Sequence, residues 1–318
     1  MASLLVPEVV PSPTEDCEIL RKAVEGFGTD EKAIIWILGH RNANQIKNIR
    51  ETYQEMYNES LIDRLHNESW GDFRKALILW TYDPHERDAR LAHEALNNKK
   101  RGIKHLQVLV EIACASSPRH LIAVRKIYCS LFDCSLEEDI VSHVAMPLRK
   151  VLLALVTSYR YDKQLVEMGL ADTDAATLRE AVNNKSLSND DFVYILSTRS
   201  THQLKQTFHS YEKNYGASLD EDIKECGNGD LESLLRVVIQ CITCPEKHIA
   251  EVVGGSIIGL GTDEDTLTRC IVSRAEVDMK QIKSEYMSMY KTSLEDAVAG
   301  DTSGYYRQFL MTLLGAED

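Results

Sequence analysis

The 318-residue chain carries 49 acidic against 36 basic side chains, a formal net charge of −13 and a pI near 5.3. That balance excludes a nucleic-acid partner gripped by bare positive charge, and equally a polybasic contact with anionic lipid. With 44% hydrophobic and 27% charged residues the composition is that of a globular protein with a real core, so an anionic surface would have to be met through positive charge from elsewhere.

In chain order, residues 1–13 form an N-terminal arm that lacks a basic segment and is broken by Pro7, Pro11 and Pro13, so no signal peptide is expected there. In the first unit, 14–83, the segment just before the second helix reads Val24-Glu25-Gly26-Phe27-Gly28-Thr29-Asp30-Glu31. Apolar stripes at helical spacing follow: Ala33, Ile34, Ile37 and Leu38; then Ile46, Ile49, Tyr53 and Met56; then Phe73, Ala76, Leu77 and Trp80. Asn58 and Trp70-Gly71 mark turns between them, and Asp83-Pro84 marks the end of the unit. The run at 151–156 is too short to span a bilayer, which takes about 20 residues. Eight irregularly spaced cysteines fit reduced, buried thiols in a cytosolic protein better than a disulfide framework. Cys241-Ile-Thr-Cys244 has no second pair and reads as helix, which argues against zinc.

The first unit recurs. Segments starting at 34, 109, 192 and 267 superimpose without gaps, offset by 75, 83 and 75 residues. Tyr53, Tyr128, Tyr211 and Tyr286 share one column, Tyr57, Phe132, Tyr215 and Tyr290 a second, and Leu61, Leu136, Leu219 and Leu294 a third. Such rows predict inter-helix core packing. The fold expected is all-α, four repeats of about five short helices each, at 14–83, 84–160, 161–244 and 245–318.

The fourth unit repeats the loop as Ile257-Ile258-Gly259-Leu260-Gly261-Thr262-Asp263-Glu264. In both units an acid stands 40 residues after the second glycine, Glu68 and Asp301. Glycines let the backbone turn so that successive carbonyls converge. Carbonyls of Val24, Gly26 and Gly28 with the Glu68 carboxylate make an all-oxygen shell suited to Ca²⁺. One carboxylate per shell predicts a weak site with positions open to water or an outside phosphate. Thr29 and Thr262 read as helix N-caps, with the acids after them in the first turn.

Four units of this length, with Gly-x-Gly-Thr-Asp-Glu before the second helix and an acid 40 residues on, resemble the annexins across nearly the whole chain, from about Thr14 to Gly315. Segments 158–162 and 196–200 and the short arm are similar to the plant branch in particular. The resemblance implies a curved disc with calcium loops on its membrane-facing side, and Ca²⁺-dependent binding of acidic phospholipids in which the metal bridges protein and lipid phosphate. Carried to the fourth unit, it implies ligation by Ile257, Gly259, Gly261 and Asp301, with the Thr302 carbonyl as an addition. The second unit departs, with Arg101, Ile103 and His143 at the matching positions. So does the third, with Asn184, Ser186 and Cys226, although Asp230 stands near its acid position. Two working sites are expected. Phe27 and Leu260, at the loop tips, are candidates to dip into the lipid interface.

The remaining signals are minor. His40 matches a position discussed as a haem residue in plant relatives, though a histidine near a helix C-terminus also suits the helix dipole. Cys114 and Cys241 match a proposed redox cluster whose expected methionine is replaced by Val110. No phosphate-binding Gly-x-x-x-x-Gly-Lys motif occurs, and 301–304 is only a short match to a GTPase element. The expectation is a cytoplasmic binding module, reversibly peripheral on membranes when Ca²⁺ rises and able to oligomerise there. Its rivals are a peroxidase-like or nucleotidase enzyme, and an actin-binding or ion-conducting protein.

Overall fold

The computed structural model describes residues 1–25, 28–98, 102–259 and 261–316, among which lie twenty α-helices and no strand. The first repeat holds α1 (Pro13–Val24), α2 (Glu31–Leu38), α3 (Ala43–Tyr57), α4 (Leu61–Glu68) and α5 (Gly71–Thr81). The second holds α6 (Pro84–Asn97), α7 (Ile103–Cys114), α8 (Pro118–Phe132), α9 (Leu136–His143) and α10 (Leu148–Thr157). The third holds α11 (Met168–Asn183), α12 (Asp190–Thr198), α13 (Thr201–Tyr215), α14 (Leu219–Cys226) and α15 (Asp230–Thr243). The fourth holds α16 (Pro245–Ile257), α17 (Glu264–Arg274), α18 (Met279–Tyr290), α19 (Leu294–Asp301) and α20 (Gly304–Leu314). Five helices per repeat, all α, is the architecture the periodicity predicts.

The repeated columns explain why each unit folds alike. The first tyrosine of each pair is buried, and its ring meets the aromatic ring four residues on, at 4.6–5.1 Å between centroids in all four repeats. That is the contact expected of neighbours one turn apart on a helix. The third helix then stops at a left-handed residue, Asn58, Asp133, Gly216 or Lys291, whose amide donates to the carbonyl four residues back. Two residues later Ser60, Ser135, Ser218 or Ser293 caps the fourth helix with its hydroxyl. The column leucine that follows is buried every time.

The chain divides into two compact units that do not follow chain order. One joins 1–87 to 246–318 and so pairs repeats 1 and 4; the other, 88–245, holds repeats 2 and 3. In the first unit α5 packs on α17 and α20, and α2 on α20. Leu20, Ile34, Tyr53 and Trp80 share one core there with Leu267, Tyr286 and Phe309. The Trp80 indole N–H donates to the Leu38 carbonyl at 2.7 Å, which satisfies its one polar group inside that core. The N-terminal arm is tied to repeat 4. The Ser3 amide donates to Ala275 O at 2.8 Å, and its hydroxyl to Leu313 O at 2.6 Å. In the second unit α7 packs on α15 and α11 on α13, around Leu109, Val124, Phe192 and Leu234. Among the described residues no helix is long and apolar enough to cross a membrane.

Candidate calcium loops

The two glycine loops are built alike. Each is closed by a main-chain bond across its base, Asp30 N to Ala23 O and Asp263 N to Ser256 O, both at 2.8 Å. Gly28 and Gly261 take φ of +99° and +93°, where a residue with a Cβ is strained, and so turn the chain into the second helix. Gly26, Phe27 and Leu260 lie outside the described residues, as does Arg101 in the second repeat. Val24 ends α1 and Ile257 ends α16, so each loop begins where the helical carbonyls are released from intrahelical bonding.

The helix cap sits one residue later than the sequence suggests. Asp30 and Asp263 are the N-caps, their carboxylates accepting the amides of Ala33 and Thr266 at 3.0 and 3.1 Å. The threonines do something else. The Thr29 hydroxyl lies 3.1 Å from Glu68 O and 3.5 Å from Glu68 Oε2. The Thr262 hydroxyl lies 3.3 Å from Asp301 O and donates to the Asp301 carboxylate as well. The threonine therefore ties the loop to the distant acid, which is why the two recur at a fixed spacing. Glu68 and Asp301 are the last residues of α4 and α19, held against their loops before any ion arrives.

The donors expected at each loop, main-chain carbonyls and one carboxylate, are of the hard oxygen type that a divalent cation takes. Arg64 Nη2 stands 2.6 Å from Val24 O and 3.2 Å from Glu68 Oε1, so two of the expected ligands already converge on one positive group. Among the described residues no three His, Cys, Asp or Glu side chains gather as a metal-holding group. A cation at either loop thus depends on main-chain carbonyls, the hard neutral donors Ca²⁺ accepts. The Thr302 carbonyl, offered as an additional ligand, accepts from Arg307 Nε at 2.7 Å; Ser69 O takes Arg74 Nε at 2.6 Å in the same way.

Glu31 and Glu264, the first residues of α2 and α17, line one cleft of the first unit, of about 340 Å³, together with Asp72, Asp301, Trp70 and Tyr305 among others. Four carboxylates in one concave surface raise the local concentration of cations. Two exposed apolar side chains flank the loops and were not singled out from the sequence, Trp70 at 73% exposure and Ile258 at 60%. Their signal was position: Trp70 follows the acid by two residues, and Ile258 sits beside Gly259.

In the second unit the described residues at the matching positions are of other types. In repeat 3 the Cys226 thiol takes the acid's place and points at Val182 O, 3.6 Å away. In repeat 2 His143 turns its Nδ1 to Asp139 O at 2.9 Å. Ile103 begins α7, Asn184 caps the C-terminus of α11, Ser186 bonds back to Ala181 O, and Asp230 starts α15.

The other candidates are placed as follows. His40 Nδ1 lies 2.9 Å from Trp36 O, and its ring sits 4.4 Å from the Trp36 ring. Cys114 and Cys241 are buried in the core of the second unit, on the packed helices α7 and α15. Burial pushes the Cys114 thiol up, and Arg160, with Nη2 at 4.0 Å from the sulfur, opposes part of that rise. Cys17 is likewise pushed to about 11, by burial first and then by Asp16. Native protein at pH 8 is therefore expected to react with an aromatic disulfide reagent first at exposed Cys129, while Cys17, Cys114 and Cys241 react only on unfolding. Peptide mapping after a short labelling pulse checks this; Cys114 labelled as fast as Cys129 would contradict it.

The comparisons agree on one family. The Annexin family model matches the chain four times, at residues 15–80, 87–155, 173–238 and 248–313. Annexin D3 of Arabidopsis thaliana is 53% identical to it over 320 residues, covering 100% of each chain. The solved structure of annexin III superposes with a TM-score of 0.93 at 31% identity, covering 100% of this chain and 98% of that one. Calcium-bound annexin (Sm)1 does so at 0.86 and 29% identity, covering 99% and 93%.

Proposed function

The chain belongs to the annexin family, and from that premise we propose that it docks reversibly on acidic phospholipid membranes through Ca²⁺ held at the loops of repeats 1 and 4. The observation that carries this is the tethered loop–acid pair, built twice within the same unit. When bound, Ca²⁺ supplies the positive charge that this acidic chain lacks, with coordination positions left for lipid phosphate. Val24, Gly26, Gly28 and Glu68 hold it at one loop, and Ile257, Gly259, Gly261 and Asp301 at the other. Thr262 bonds the Asp301 carboxylate, and Thr29 ties Glu68 to its loop chiefly through the main-chain carbonyl, so part of the ordering cost is met before binding. Phe27, Leu260, Trp70 and Ile258 add apolar contact at the lipid interface, about 1.5–3 kcal/mol for each side chain fully buried.

Two ions add four charges and leave the molecule acidic, so attraction is confined to the loops while the remainder repels an anionic bilayer. That asymmetry makes the binding switchable, and on this reading the protein leaves the membrane for the cytoplasm when calcium falls. Co-sedimentation with phosphatidylserine–phosphatidylcholine vesicles tests it. Binding is expected in Ca²⁺, release in chelator, and loss of at least tenfold in affinity for the double variant Glu68→Gln, Asp301→Asn. Undiminished calcium-dependent binding by that variant would sink the two-loop mechanism.

A further inference from the structure

The two loops share a motif but not a resting state. Arg64 lies on α4 one turn before Glu68, which puts both side chains on one face of the helix. Its Nη2 contacts Val24 O at 2.6 Å and Glu68 Oε1 at 3.2 Å, and its Nη1 lies 3.9 Å from Glu59 Oε1. The side chain is 24% exposed, and its Nε is buried without a hydrogen-bond partner. It is thus held in place by its two outer nitrogens alone.

The repeat register shows how unusual this is within the chain. At the same position repeats 2 and 3 carry Asp139 and Asp222, each accepting the hydroxyl of its column tyrosine, Tyr128 or Tyr211. Repeat 4 carries Ala297, which offers no charge. Repeat 1 alone reverses the sign, and there the Tyr53 hydroxyl accepts instead from Arg21 Nη1 at 3.4 Å. Arg21 is already neutralised by Glu25 and Glu59, so Arg64 is left to the loop.

We infer that Arg64 is a resident counter-cation of the repeat-1 loop, occupying two of the oxygens that Ca²⁺ would take, so that the repeat-4 loop loads first and the repeat-1 loop only at higher calcium. This rests on the calcium reading above. The guanidinium must leave Val24 O and Glu68 before those oxygens can turn to the ion. A partly buried hydrogen bond from a charged group is the kind of contact whose loss shifts an equilibrium about tenfold or more.

Calorimetric Ca²⁺ titration of the full chain separates the outcomes. In an Asp301→Asn background, which leaves the repeat-1 loop to be observed, Arg64→Ala and Arg64→Gln are expected to tighten calcium binding about tenfold. In a Glu68→Gln background the same changes are expected to leave the repeat-4 affinity where it was. In metal-free protein, hydrogen exchange at the amides of Thr29 and Asp30 should quicken in both Arg64 variants while circular dichroism stays native. Calcium bound by every variant, with repeat-1 affinity unchanged or weaker in Arg64→Ala and Arg64→Gln, would overturn the inference and leave the calcium reading standing. No calcium bound by the wild-type chain would overturn both.

Discussion

Replacing Asp16 by alanine is expected to remove about 3–5 kcal/mol of stability from the unit formed by repeats 1 and 4, the characteristic cost of stripping one partner from a buried ion pair. Arg41 meets Asp16 with two parallel bonds, Nε to Oδ2 and Nη2 to Oδ1, each 2.8 Å, and both side chains are 2% exposed. Without the carboxylate, a guanidinium that cannot shed its proton is left in the core beside Cys17 and Leu20. The effect is large because of what remains, not because the pair is strong. The chain itself supplies the control. Repeat 3 builds the same fork from Arg199 and Asp174, at 2.7 and 3.1 Å, whereas repeat 2 has Leu91 and Ser116 at these positions. Copying that solution as Asp16→Leu with Arg41→Ser should therefore recover most of the loss. Urea unfolding followed by circular dichroism measures both variants; Asp16→Ala within about 1 kcal/mol of wild type would show that water reaches Arg41.

Much of this architecture was legible in the sequence because it is written four times. The tyrosine and leucine columns, the turn at Asn58 and the loop–acid spacing are local or periodic signals, and each has its counterpart in the structure. Three things were not legible. The pairing of repeat 1 with repeat 4 joins the two ends of the chain, and no local pattern reports which unit a helix face meets. The threonines looked like caps because Thr and Asp both cap well; only the position of Glu68 and Asp301 decides that Asp30 and Asp263 take the cap while Thr29 and Thr262 hold the acid. Arg64 carries no local signal in the sequence. Its role depends on a carbonyl 40 residues away in sequence and 2.6 Å away in space.

The motif glycines allow a test that changes no charge. Gly261→Val is expected to weaken calcium binding at the repeat-4 loop by about fivefold to a hundredfold, because the backbone must hold φ near +93° to present its carbonyls. A β-branched residue in that region costs about 1–3 kcal/mol, which the loop avoids by relaxing to another shape and recovers only when the ion forces it back. An added Cβ at Gly261 meets no atom within 4 Å, so the penalty is conformational and not a collision with neighbours. Gly255 in α16 is the matched control. It too has open space around an added Cβ, but its backbone is helical, so Gly255→Ala should leave calcium binding alone and stabilise the fold by about 0.5–1 kcal/mol. Calcium titration of both variants, with thermal unfolding in chelator, separates site from fold. If Gly261→Val binds calcium like wild type, the turn in the loop is not what gathers the oxygens, and Asp301 with its threonine must do it without them.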